Sequence, residues 1–134
     1  MEEGKYKGLE VLVLDDEPMV CRSVKIALRR LGFEVEAFED PELALRRFDE
    51  KKFDIVVTDI VMGDIDGIQV LEHVMQKSSS TKVIIITAFA MMDMARKAMA
   101  SGAFDFIAKP FDVNEIRSIV ARAADSLNEE ASGA

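Results

Sequence analysis

Three short stretches of the chain are almost continuously apolar: Val11-Leu12-Val13-Leu14, Ile55-Val56-Val57 and Val83-Ile84-Ile85-Ile86. Such runs suit strands covered on both faces, as in the middle of a parallel sheet. Two further segments are mixed. Glu34-Val35-Glu36-Ala37-Phe38 alternates and Phe104-Asp105-Phe106-Ile107 nearly does, so both read as edge strands. Between the strands the period changes to that of a helix. Val20, Val24, Ala27, Leu28 and Leu31 share one helical face, with Pro18 at its start and Gly32 after its end. Asp40-Pro41 reads as an N-cap followed by proline at the first helical position, and opens a short helix carrying Leu45 and Phe48. Asp66 with Gln69, and Asp112 with Glu115, have capping-box spacing at the starts of two more helices. The segment from Met92 to Ser101 completes the set with a weaker stripe of Ala and Met. The alternation predicts an α/β fold, a doubly wound (βα)₅ three-layer sandwich with right-handed crossovers. The first, third and fourth strands are then expected at the centre and the second and fifth at the edges, which the parallel order 2-1-3-4-5 satisfies.

Composition narrows the function classes. The chain has 134 residues, of which 49 % are hydrophobic, enough for one domain with a real core. We expect that domain over residues 9–127, with 1–8 and 128–134 as flexible termini or a linker stub. No apolar run reaches the ~18–20 residues of a membrane span, and no signal-like segment follows the polar start, which points to the cytoplasm. A net charge of −8 disfavours direct nucleic-acid binding and suits a cation or a basic protein surface. Cys21 is the lone cysteine and is expected as an inert buried thiol.

Candidate chemistry collects at one edge of the sheet. In open α/β sheets ligands bind outside the carboxyl ends of the strands, where neighbouring crossovers diverge. Asp15-Asp16 closes the first strand, Asp59 the third and Thr87 the fourth, while Lys109 follows the fifth. Taken singly each has a bland reading: an acidic first turn, a turn cap, a strand-end threonine, a solvated lysine. Their conjunction at one edge is what carries weight. Crowded carboxylates raise one another's pKa, and a hard divalent cation such as Mg²⁺ relieves the repulsion. With an ammonium and a hydroxyl added, the set fits phosphoryl transfer to a carboxylate.

At these residues the chain resembles the response-regulator receiver domains of two-component signalling, over about residues 9 to 127. The resemblance rests on Val13-Leu14-Asp15-Asp16-Glu17-Pro18, Asp59-Ile60-Val61-Met62-Gly63-Asp64-Ile65-Asp66-Gly67, Ile86-Thr87-Ala88, Gly102-Ala103-Phe104-Asp105-Phe106 and Lys109-Pro110-Phe111. It implies that Asp59 accepts a phosphoryl group from the phosphohistidine of a sensor histidine kinase or phosphotransfer protein. It implies Mg²⁺ held by Asp15, Asp16, Asp59 and the backbone carbonyl of Val61. Thr87 and Lys109 would contact the phosphoryl oxygens, and the Lys109–Pro110 bond would be cis. Thr87 and Phe106 would form the switch, remodelling the face of the fourth helix, fifth strand and fifth helix toward an output domain or protein target, with homodimerisation through that face a further expectation. Such a domain is a signalling phosphoacceptor that assists its own phosphorylation and dephosphorylation, rather than an enzyme. Gly63 departs from the proline usual after the methionine, which predicts a looser loop.

Two more readings follow from single positions. Val61 and Phe89 each lie two residues beyond a site residue, and neither side chain can orient an attacking water by hydrogen bonding, so a long-lived phosphoryl-Asp is expected. His73, the only histidine, falls on the third helix, away from this edge. The rivals fit less well. A flavodoxin-like FMN protein shares the sheet order but needs a small polar phosphate loop where this chain has Asp15-Asp16-Glu17. A haloacid-dehalogenase-type phosphatase carries its aspartates as D-x-D. A degenerate receiver, acting as a phosphorylation-independent scaffold, would lack a key position, and none is missing.

Overall fold

The computed structural model describes residues 6–133. Five strands alternate with five helices: β1 (Glu10–Leu14), α1 (Pro18–Arg29), β2 (Glu34–Phe38), α2 (Pro41–Glu50), β3 (Ile55–Asp59), α3 (Gly67–Lys77), β4 (Lys82–Thr87), α4 (Met92–Ala100), β5 (Asp105–Ala108) and α5 (Val113–Gly133). A short 3₁₀ turn, Phe89–Met91, leads into α4. The sheet is wholly parallel, in the order β2-β1-β3-β4-β5, which puts the three apolar runs at its centre.

The pleat explains those runs. Val11 and Val13 point into a core under α1 and α5, together with Val24, Leu28, Ile116 and Val120. Leu12 and Leu14 point the other way, into a core under α2, α3 and α4 with Phe48, Phe53, Leu71 and Val74. A strand feeding two cores can spare no polar position. β2 and β5, each paired on one side only, keep charged residues facing outward, and Glu36 of β2 takes a two-pronged contact from Arg47, at 2.8 and 3.1 Å.

Caps begin the helices where the spacing placed them. Asp40 accepts from the Glu42 N–H, and both capping boxes form reciprocally, Asp66 with Gln69 and Asp112 with Glu115.

Both ends differ from expectation. Tyr6, placed in a flexible leader, is buried at 3 % exposure and stacks on Phe33 with ring centroids 4.8 Å apart. Its ring closes the α1–α5 core from below, a long-range contact that local polarity could not reveal. Residues 1–5 of that leader, and residue 134, lie outside the described residues. At the other end α5 continues through residues 128–133, expected as a flexible end or linker stub. Asn128-Glu129-Glu130-Ala131-Ser132 contains no breaker, and Glu and Ala are strong helix formers. Lys82 pairs with Glu130, which ties this extension to the start of β4.

Truncating the buried ring should therefore be costly. Tyr6→Ala is expected to lower stability by about 2–4 kcal/mol, read as a shift in urea midpoint. A shift under a few tenths of a kcal/mol would return residues 6–8 to the status of a dispensable leader.

Candidate functional site

The carboxyl edge of the sheet is assembled by backbone bonds that leave the side chains little freedom. The Asp15 N–H donates to the Phe38 carbonyl, 3.1 Å, locking the end of β1 to β2. Beyond β3, the Ile60 N–H donates to Ile86, 2.9 Å, and the Gly67 N–H to Ile60, 2.8 Å. Gly67 brings α3 so close that a Cβ there would lie 2.7 Å from Ile60 Cα and 2.8 Å from the Asp59 carbonyl oxygen. Only a residue without a side chain permits this approach. The Lys109 N–H donates to Thr87, 2.7 Å, and the Lys109–Pro110 bond is cis.

Within this frame Asp15, Asp59 and Lys109 meet. Lys109 Nζ lies 3.0 Å from Asp15 Oδ2 and 3.4 Å from Asp59 Oδ2. Its shortest contact is with Glu17 Oε1, at 2.6 Å. Asp15 is fully buried; its Oδ1 accepts from the Glu17 N–H at 2.8 Å, whereas its Oδ2, though near the ammonium, receives no aligned hydrogen bond. Carboxylate oxygens of Asp15, Asp16 and Glu17 lie within 4.8 Å of one another. A buried carboxylate oxygen without a proper donor, beside two further carboxylates, is a donor set that suits a hard divalent cation.

Comparison with known proteins fits this geometry. The family model described as the response regulator receiver domain matches residues 11–121. The chain belongs to that family. It is 38 % identical over 113 residues to the regulatory protein AtoC of Escherichia coli K12, a match covering 84 % of this chain but 24 % of AtoC. It is 36 % identical over 117 residues to the chemotaxis protein CheY of Listeria monocytogenes, covering 87 % of this chain and 98 % of CheY. A receiver domain protein from Clostridium thermocellum superimposes with a TM-score of 0.81 at 28 % identity, covering 92 % of this chain and 97 % of the other. The chain thus spans about a quarter of some regulators it matches and nearly all of the chemotaxis protein. It is a phosphorelay receiver, and receivers bind Mg²⁺ through acidic residues of this kind.

The receiver brings the expected site residues to one edge without making every contact anticipated. Asp16 is exposed at the mouth of the cleft. Thr87 is fully buried, and its hydroxyl donates to the Ala88 carbonyl, 3.1 Å. Val61 meets Asp59 through its N–H, 3.4 Å from Oδ1. Phe106 is half-buried and packs with Met91 and Met94 against the α2–α3–α4 core. Gly63 has φ +40°, a left-handed conformation that proline cannot adopt, so the loop takes a different path rather than merely a slacker one. Cys21 is buried against the carbonyls of Asp15 and Phe38, and burial pushes its pKa up to about 11, which makes the thiol inert. His73 bonds Asp49 at 2.7 Å across α2 and α3, well apart from the cleft. The residue that sequence reasoning passed over is Glu17, read there only as part of an acidic turn. Its partner lies 92 residues away, so the one available signal was its position directly after the aspartate pair.

Burial governs the charges. Desolvation raises the pKa of Asp15 and of Asp59, and in each case it outweighs the favourable charge and hydrogen bonds of Lys109. Lys109 is also disfavoured by burial. Its bond to Glu17 and its close ion pair with Asp15, with the charge of Asp59, more than offset that and keep its pKa above the usual lysine range. Both aspartyl carboxyls hold a proton more tightly in the folded chain than in the unfolded one. Between the ordinary carboxylate range and the raised values the folded state binds more protons, so their ionisation costs stability as pH rises through that window. In chelator, Asp15→Asn should therefore stabilise the receiver at neutral pH. The gain should shrink as pH falls through the raised range toward that of an ordinary carboxylate, because folded Asp15 takes up its proton there. Urea midpoints against pH give the test, and a less stable variant at neutral pH would contradict it.

Proposed function

We propose that Asp59 is the phosphoacceptor of this receiver and that the phosphohistidine of a sensor histidine kinase, or of a phosphotransfer protein, is its donor. The observation that carries the reading is the meeting of Asp59 with Lys109 Nζ, 3.4 Å away, beside the fully buried Asp15. An Asp59 oxygen attacks phosphorus, the P–N bond breaks, and the leaving imidazole takes up a proton. The backbone bonds around Ile60 and Gly67 hold Asp59 in line. Lys109 offers an ammonium to the phosphoryl oxygens, and Thr87 has a hydroxyl within the same strand-end cluster. Asp15, Asp16 and Asp59, with the Val61 carbonyl, would hold Mg²⁺, which when bound neutralises the charge gathering on the transferred group.

In this reading the domain is a phosphoacceptor that assists its own phosphorylation and hydrolysis, not an enzyme acting on a separate substrate. Reorientation of Thr87 and Phe106 biases a two-state face made of α4, β5 and α5, and that face addresses an output domain, a protein target or a second copy. No described helix is long and apolar enough to cross a membrane, in keeping with a cytoplasmic place of action. A scaffold independent of phosphorylation is disfavoured because every position such chemistry needs is present.

The direct test is intact-protein mass after incubation with Mg²⁺ and acetyl phosphate. The native chain is expected to gain one phosphate, and neither Asp59→Ala nor the native chain in chelator should do so. No gain in the native chain, with no Mg²⁺ uptake, would favour the scaffold.

The lifetime of the phosphoryl group follows from two exposed apolar side chains. Phe89 is 85 % exposed and Val61 49 %, so both are accessible to solvent while offering no hydrogen bond to an attacking water. Phe89→Glu or Val61→Asn is expected to speed hydrolysis by about tenfold, by supplying a group that can orient that water. Unchanged decay rates in both variants would show that water access is limited elsewhere.

A further inference from the structure

Glu17 occupies the N-cap of α1, where a side chain ordinarily turns back to accept from the helix's first N–H groups. Here it makes no such bond. Its carboxylate is turned instead to Lys109, and this 2.6 Å contact is shorter than those the same ammonium makes with Asp15 Oδ2, 3.0 Å, and Asp59 Oδ2, 3.4 Å. The three partners differ in burial: Asp15 and Asp59 lie at the cleft floor, with side-chain exposures of 0 % and 11 %, whereas that of Glu17 is 59 %. Lys109 is thus drawn outward by its nearest partner. Meanwhile the Glu17 N–H holds Asp15 Oδ1, so that Oδ2, buried and without an aligned donor, is the atom left facing the cleft.

We propose that Glu17 is a positioning residue: it shares the Lys109 ammonium with Asp15 and draws it toward the rim of the cleft, so that the ammonium yields Asp15 Oδ2 more readily to a divalent cation. The inference rests on reading the cleft as a Mg²⁺-dependent phosphoacceptor site. Lys109 and the divalent cation compete for the same carboxylates, since two positive charges cannot share them without repulsion. Without the tether Lys109 is held by Asp15 and Asp59 alone and is harder to displace when the cation enters. With it, the ammonium has somewhere to go and still remains within reach of a group bound to Asp59. Glu17 acts through Lys109, and this separates the tether from a direct ligand or a general field effect.

A double-mutant cycle on Mg²⁺ affinity decides between these. Calorimetric titration of the full chain would use the native protein, Glu17→Gln, Lys109→Met and the double variant, in about 0.5 M KCl to screen long-range charge. Glu17→Gln is expected to weaken Mg²⁺ binding at least about threefold, and Lys109→Met to tighten it. The loss caused by Glu17→Gln should be at least about threefold smaller once Lys109 is gone. An equal loss in both backgrounds would make Glu17 a ligand or a simple field source, and would overturn the tether. Equal affinity in the native chain and Glu17→Gln would overturn it too, while leaving the phosphoacceptor reading intact. A native chain that takes up no Mg²⁺ would sink that reading, and the tether with it.

Discussion

Holding two carboxyl groups in a desolvated cleft against their own tendency to pick up protons is the constraint from which the rest of this receiver follows. Asp15 and Asp59 stand at the ends of β1 and β3, the two innermost positions at the point where the crossovers part. A sheet that buried these groups beside apolar chains alone would force them neutral. Lys109 is brought in from the loop after β5 to prevent this, and it is delivered by one backbone bond to Thr87. The polar cluster is therefore only as good as the strand register beneath it. A one-residue slip in β3 would turn Asp59 toward a core and leave Lys109 with Asp15 and Glu17 only.

Rigid and movable parts are divided cleanly. The floor of the cleft is fixed: Ile60 and Gly67 are pinned by backbone bonds, and Gly67 admits no side chain where α3 approaches the Asp59 carbonyl. The rim is not. Glu17 and the Lys109 side chain reach one another across solvent-accessible space, and the exposed Phe89 stands at the start of the 3₁₀ turn before α4. Phosphoryl chemistry needs a nucleophile that stays put and a counter-ion that can follow charge as it moves. An ammonium on four methylenes supplies the second, as a planar guanidinium would not.

Much of this was legible in the amino-acid sequence, and the parts that were not share a physical cause. Which strands are central could be read because the middles of β1, β3 and β4 feed cores on both sides and are apolar there, a local property of each strand. Caps at Asp40, Asp66 and Asp112 are local too. The edge cluster followed from strand order alone. Tyr6 was missed because its partner Phe33 lies beyond β1 and α1, and polarity around Tyr6 says nothing about a distant ring. Glu17 was missed for the same reason, its role being defined by an ion 92 residues away. The helical end of α5 was underestimated for a different one: small polar residues read as linker, although nothing among residues 128–132 breaks a helix.

The acidic cleft also bears on why such a domain can switch at all. If burial of Asp15 and Asp59 costs stability when both are ionised, the site is a reservoir of unfavourable free energy that any added positive charge can draw down. A cation stabilises the state that holds it, and a phosphoryl group on the proposed acceptor Asp59 would change what Lys109 must satisfy. Neither event needs to deform the sheet. Each shifts the balance among carboxylates, ammonium and the strand-end hydroxyl of Thr87, which sits at the junction of β4 with the loop leading to α4. A bistable face can be biased only by a group whose interactions differ between its two states. In the proposed switch Thr87 would meet that requirement: its hydroxyl is held only by the neighbouring Ala88 carbonyl, and a bond to a charged phosphoryl oxygen would be the stronger one.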